Sequence, residues 1–192
     1  MILEVDGSAA AVEEDIALVE RACADAGATE IRRASTEEER EELWRLRREL
    51  SMALKEILPI KLNNDVVVPR GRIPELFQLV DRIRAKYRLP IASFGHAGDG
   101  NIHVNIMVPA EQRAESKEQA MSRAKEAVQE LFEGVVALEG SISGEHGIGF
   151  TKAPYLHLEL SAVEIALMKR LKAAFDPHGI LNPGKIFPDG PD

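Results

Sequence analysis

An α+β fold, ferredoxin-like, with a mainly antiparallel sheet and helices packed on one face, is what the sequence predicts, and three observations point to it. Apolar stripes at helical spacing alternate with short β-branched runs, in an order close to β-α-β, then α, then β-α-β-β-α-β-α. Residues 102–108 place Ile102, Val104, Ile106 and Val108 on one face of a strand, and His103, Asn105 and Met107 on the other. Aromatic residues make up only 5% of the 192, so the interior must be built from Leu, Ile, Val, Ala and Met.

Residues 2–5 open the chain as an apolar strand with no polar lead-in, an abrupt start that looks like a cut. Asp6-Gly7-Ser8 then turns the chain into a helix on which Val12, Ile16, Val19 and Cys23 recur, and Gly27 stops it before a short strand at 30–33. Ser35 with Glu38 reads as a capping box for a long charged helix carrying Leu43, Leu46, Leu50, Leu54 and Ile57, which Pro59 ends. The β-branched run 65–68 is a strand, Pro69-Arg70-Gly71 breaks it, and Pro74 fits the first turn of a helix with Phe77, Val80, Ile83 and Tyr87. Residues 91–94, a glycine-rich loop and the strand at 102–108 form a hairpin. Met121, Ala124, Val128, Leu131, Val135 and Leu138 mark the next helix, stopped by Gly140 before a brief strand at 141–143. Ser161 and Glu164 box the start of a last helix with Ile165, Met168, Leu171 and Phe175, closed by Pro177 and Gly179.

A net charge of −8 argues against nucleic acid as the main partner, since phosphate-backbone binders carry the opposite sign. The single cysteine, Cys23, excludes a disulfide framework and a cysteine-based zinc site, and its place on an apolar stripe makes it a small core residue. No apolar run approaches the roughly 20 residues of a transmembrane segment, and the N-terminus lacks the basic start of a signal peptide, so the expected address is the cytoplasm.

Two segments depart from this patterning: GHAGDGNIHVN at 95–105 and SGEHGIG at 143–149, which hold three of the five histidines. Both run G-x-x-G-x-G, the reverse of a dinucleotide fingerprint, and neither clearly opens a helix. The glycines instead allow positive φ and close backbone packing around polar side chains. His103 and Asn105 share a strand face, and the hairpin turn can fold His96 back toward it. A third group must come from elsewhere, and Glu145-His146, flanked by glycines, is the candidate. Two histidines and a glutamate with an open position suit a catalytic divalent metal. Neighbours in an extended segment point apart, so one of Glu145 and His146 can ligate while the other acts as a base. His157 and His178 have weaker claims, and Asp99 reads as a turn residue.

These segments, with FDPHGILNPGKIF near the C-terminus, LWRLRREL around Trp44, KLNNDVVVP from Lys61 and the opening LEVDG, resemble the C-terminal domain of FAD-linked oxidases of the vanillyl-alcohol oxidase superfamily. Within it they are most similar to the group of glycolate oxidase catalytic subunits, D-lactate dehydrogenases and D-2-hydroxyglutarate dehydrogenases. The resemblance implies that His96, His103 and Glu145 hold a divalent metal, that His146 is the catalytic base and that Asn105 contacts substrate; the ligand set itself suits zinc, manganese or iron, with zinc or manganese expected. It places Arg47 and Lys61 on the substrate carboxylate and Asn182 toward the flavin. KLNNDV departs from the pattern, with Asn64 where relatives often carry an acidic residue.

The implied reaction is oxidation of a D-2-hydroxy acid to a 2-oxo acid, with residues 1–192 as the substrate domain. FAD would be bound mainly by a domain this chain lacks, supplied by the same or a partner chain, with electron-transfer subunits as further partners and a peripheral place at the inner membrane through them. The chain would then be an expressed fragment or a natural subunit, inactive alone. The alternatives are a stand-alone metal-dependent hydrolase, although no HExxH appears, and a non-catalytic assembly module.

Overall fold

The computed structural model describes residues 1–57, 60–108 and 116–187, which fall into two compact units, Met1–Leu54 and Lys55–Asp192. Among the described residues no helix is long and apolar enough to cross a membrane.

The first unit is helical. Helix α1 (Ala9–Asp25) starts at Ser8, whose hydroxyl accepts from the Ala11 amide, and α2 (Glu37–Ile57) follows. The cap of α2 is Thr36, not the expected Ser35: Thr36 Oγ1 accepts from the Glu39 amide, and Glu39 Oε2 accepts from the amides of Ser35 and Thr36. Both hydroxyls have a glutamate three positions later, so spacing does not choose between them; in the fold Glu39 takes the amides of both Ser35 and Thr36, which places the box at Thr36. Pro59 lies outside the described residues. The strands expected at 2–5 and 30–33 are absent from the described residues. A strand exists only through ladder bonds to a neighbour, and the first unit supplies no second strand among its described residues. Val12, Ile16, Val19 and Cys23 instead line a cleft with Leu43 and Trp44, so Cys23 serves as a packing residue.

The second unit holds the α+β fold. Strand β1 (Ile60–Val67), helix α3 (Ile73–Tyr87), the hairpin β2 (Ile91–His96) and β3 (Asn101–Val108), and helix α4 (Lys117–Ala137) make a three-stranded antiparallel sheet of order β1-β3-β2. Val66 pairs with Ile102, Asn64 with Val104 and Leu62 with Ile106 on one face, and Ser93 of β2 faces Val104 there. That face carries Val66, Val104 and Ile106 into a core with Leu76, Leu79, Val80 and Ile83 of α3 and Leu131, Phe132 and Val135 of α4. Phe77, expected on the inner stripe of α3, is 40% exposed, because the stripe that packs is Leu76-Leu79-Val80-Ile83.

The strand expected at 141–143 is a single antiparallel bridge, Ser141 to Val67. It lies beside β1, so it marks the fourth-strand position of a ferredoxin-like 4-1-3-2 order. Glu139, at φ 62, rather than Gly140 takes the left-handed turn after α4. A one-turn helix α5 (Leu156–Glu159) precedes α6 (Ala162–Phe175), whose predicted capping box of Ser161 and Glu164 is present. No α6 residue is buried: Leu171 and Phe175 of its expected stripe are exposed.

Candidate functional site

The sheet face opposite the helices carries Lys61, Asn63, Asp65, His96, Asn101, His103 and Asn105. Register places Asp65 opposite His103, Asn63 opposite Asn105 and Lys61 opposite Met107, while Phe94 and His96 of β2 face His103 and Asn101. The turn joining β2 to β3 closes through bonds from the Asp99 amide to the His96 carbonyl and from the Gly100 amide to the Ala97 carbonyl. Gly100 has φ +73, and a Cβ there would stand 2.0 Å from the Val68 carbonyl oxygen. This turn returns His96 to the face of His103, with ring centroids 6.3 Å apart.

The loop after α4 closes over that face. Its first part is held by Glu159, whose Oε2 accepts from the Ile142 amide at 2.9 Å and the Ser141 hydroxyl at 3.2 Å. Its second part wraps around Asp65: the amides of Gly144, Glu145 and His146 all donate to Oδ2, at 3.0, 2.8 and 2.9 Å. Three successive amides converging on one oxygen form an anion nest. Gly144 is required at this approach, since a Cβ there would lie 1.7 Å from Asn101 Nδ2. Asn101 Nδ2 donates to Asp65 Oδ1 at 2.7 Å. Lys152 Nζ donates to the Asp65 carbonyl at 2.7 Å and lies 3.6 Å from Oδ2.

Asp65 has no exposed surface, and that burial disfavours its charge. The bonds from the His146 amide, Asn101 and the Glu145 amide, with the Lys152 charge, outweigh it and bring the carboxyl down from 3.8 to about 2. Burial also lowers the basicity of Lys152, against the pull of Asp65.

His103 is the centre of the cluster. Its ring lies 5.3 Å from that of His146 in a stacked arrangement and 5.7 Å from Phe94. Burial pushes its pKa down, Asp65 and Glu145 push it up, and the balance lies below the usual value, which favours the neutral imidazole that binds metals. His96 Nε2 is 3.8 Å from Glu145 Oε1, and one donor atom each from His96, His103 and Glu145 lie within 4.8 Å of one another. Ligands on one cation are about 3–3.5 Å apart at bond lengths near 2.1 Å, so a small contraction completes a three-ligand site open to solvent. Asp65, His103 and His146 also meet the 4.8 Å spacing, but the Asp65 oxygens already take four hydrogen bonds.

The structure thus brings together His96, His103, Glu145 and His146, as the residues alone suggest. Asn105 lies on the same face, fully buried. Its Nδ2 donates to the carbonyls of Ala92 and His103, and its Oδ1 has no hydrogen-bond partner. Lys61 is on this face too, four residues along β1 from Asp65. Arg47 belongs to α2 of the first unit. Asn182 sits in the exposed turn after α6, accepting from Lys185 Nζ. Sequence reasoning missed Asp65, and Lys152, which the sequence offers with Arg47 and Lys61 only as a possible cation for the substrate carboxylate, is instead turned on Asp65. The available signal was an aspartate inside a β-branched run, where a charge is out of place unless something pairs with it.

The chain matches the family model described as FAD linked oxidases, C-terminal domain, over residues 1–186. It is 41% identical over 187 residues to the glycolate oxidase subunit GlcD of Bacillus subtilis, covering 97% of this chain and 39% of that protein. It is 40% identical over 156 residues to a D-2-hydroxyglutarate dehydrogenase of Stutzerimonas stutzeri, covering 80% of this chain and 32% of that one. The chain therefore spans about two fifths or less of these relatives. The solved structure of 4-ethylphenol oxidase from Gulosibacter chungangensis shares the fold, at TM-score 0.56 and 18% identity over 93% of this chain and 37% of that one.

Proposed function

Because the chain belongs to the family of FAD linked oxidases, C-terminal domain, we propose that it forms the substrate- and metal-binding part of an FAD-dependent dehydrogenase of the glycolate oxidase or D-lactate dehydrogenase type, oxidising a D-2-hydroxy acid to a 2-oxo acid. The observation that carries this reading is the convergence of His96, His103 and Glu145, with His146 stacked beside them, on the sheet face away from the core. Two imidazoles and a carboxylate fit a divalent cation such as zinc or manganese. In this reading they hold it.

A bound FAD would supply the hydride acceptor, and a cation held by His96, His103 and Glu145 would supply positive charge to favour loss of the hydroxyl proton. His146 takes the hydroxyl proton, a contribution typically worth about 10²- to 10⁴-fold. Asn105 is assigned to the substrate, with the support that its buried Oδ1 lacks a hydrogen-bond partner within the chain. Lys61 and Arg47 are assigned to the substrate carboxylate, and Asn182 to the flavin side. A flavin domain in the same or a partner chain belongs to this reading, with electron-transfer subunits beyond it. Neither a stand-alone hydrolase nor an assembly module is favoured by the family match.

The test joins this chain to the FAD-binding part of a relative, measures its metal content, and follows flavin bleaching by glycolate and by the D and L forms of lactate and 2-hydroxyglutarate. Bleaching by glycolate or the D acids is expected. His146→Ala should cut turnover by about 10²- to 10⁴-fold with FAD content unchanged. Hydrolytic activity of the chain alone, or a flavin that no 2-hydroxy acid bleaches, overturns the reading.

A further inference from the structure

The chemistry above leaves unused the most deeply buried charge in the site. Asp65 lies toward the end of β1, paired with His103 of β3, and every donor it meets belongs to an element that bears a site residue or braces one. Three are the amides of 144–146, one is the carboxamide of Asn101 at the base of β3, and one is the ammonium of Lys152, which follows the loop. A buried ion pair adds little stability over apolar side chains of similar volume, so stability alone does not account for it.

Wrapping three consecutive amides around one oxygen has a geometric consequence. Residues 145 and 146 in an extended segment would point their side chains to opposite sides. Turned inward on Oδ2, their amides leave Glu145 facing His96 and leave His146 stacked on His103. The other oxygen acts on His103 directly. His103 Nδ1 is buried without a hydrogen-bond partner, and Asp65 Oδ1 stands 3.6 Å from it. A lone pair on Nδ1 would face an anion there, whereas an N–H would face an acceptor. The proton therefore belongs on Nδ1, and Nε2 keeps its lone pair, the carboxylate–histidine relation found behind many metal-bound imidazoles.

We propose that Asp65 is the positioning residue of the site: Oδ2 shapes the turn that presents Glu145 and His146, and Oδ1 fixes His103 with its proton on Nδ1. The consequence for metal binding rests on the metal reading above; the two structural assignments do not.

The test uses the 192-residue chain without added flavin, labelled for NMR. In the wild type, long-range couplings across hydrogen bonds should connect the amides of Gly144, Glu145 and His146 to the Asp65 carboxyl carbon, and the ¹⁵N shifts of His103 should report a single Nδ1–H tautomer. Asp65→Asn should lower exchange protection of those three amides about tenfold and give His103 a mixed tautomer, with the amides of β3 and α4 still protected. Zn²⁺ alone, titrated against a competing chelator, should bind the variant about 10- to 100-fold more weakly. Absent couplings, or a variant that keeps both protection and tautomer, overturn the proposal. If the variant fails to fold, the wild-type couplings and tautomer decide alone. A wild type that takes up no Zn²⁺ while couplings and tautomer appear as stated overturns the metal reading and leaves Asp65 in its role.

Discussion

Lowering the pH should remove the stability that Asp65 lends to the second unit, and the size and direction of the loss follow from its surroundings. The folded carboxyl titrates at about 2 against an ordinary 3.8, a difference of 1.8, because three amides, Asn101 and Lys152 favour the anion more than burial opposes it. At about 1.36 kcal/mol for each pH unit, this is worth about 2 kcal/mol. The folded value is depressed, so the contribution is complete above the unfolded value and is lost as pH falls toward the folded one, mostly between about pH 4 and pH 2. Urea unfolding of the wild type and of Asp65→Asn across this range isolates the effect, since other titrating groups are common to both. Tyr87 and Tyr155, the chain's two tyrosines, both lie in the second unit, so their ring signals in NMR report on it separately from Trp44 of the first. The free-energy gap between the two proteins should change by about 2 kcal/mol from pH 6 downward. A gap that stays constant over the whole range would refute the claim that the buried carboxylate is held charged by its donors.

Gly144→Ala should push the loop off Asn101, because the new methyl would sit 1.7 Å from Nδ2. A loss of about 1–3 kcal/mol in urea unfolding, together with weaker Zn²⁺ uptake, is the expected result, and an unchanged midpoint would show that the loop is not seated as described. Leu131→Ala removes a side chain with no exposed surface where α4 meets the sheet. It should cost about 2–5 kcal/mol by the same tyrosine signal, and a cost below about 1 kcal/mol would mean that α4 does not seal the core.

The second unit was legible because its signals are local. Alternation along 102–108 set the faces of β3, the glycine-rich turn set the hairpin, and Ser161 with Glu164 set a helix start. The convergence of His96 and His103 followed from strand geometry and a turn, and the flanking glycines singled out Glu145 and His146. The failures involve partners that no local pattern names. Residues 2–5 and 30–33 carry strand-like composition, but ladder bonds must come from another strand, and the described residues of the first unit supply none. The inner stripe of α3 was drawn through Phe77, although periodicity allows the adjacent stripe through Leu76 equally well and only packing against the sheet decides. Asp65 escaped because its donors lie 36 to 87 residues further along the chain. Asn64 next to it departs from the family pattern more visibly, yet its side chain bonds across the sheet to the Val104 carbonyl.

The loop carrying Glu145 and His146 is tied at one end to a helix that follows it and at the other to a strand laid down about 80 residues earlier. Its shape is therefore a product of the finished fold and not a property of its own nine or ten residues. During synthesis the two imidazoles of the hairpin can meet as soon as β2 and β3 pair, yet the carboxylate that joins them arrives only after α4 has docked and the return past β1 is complete. On the metal reading proposed above, a cation captured earlier than that would meet two ligands instead of three, and tight loading would belong to the last stage of folding.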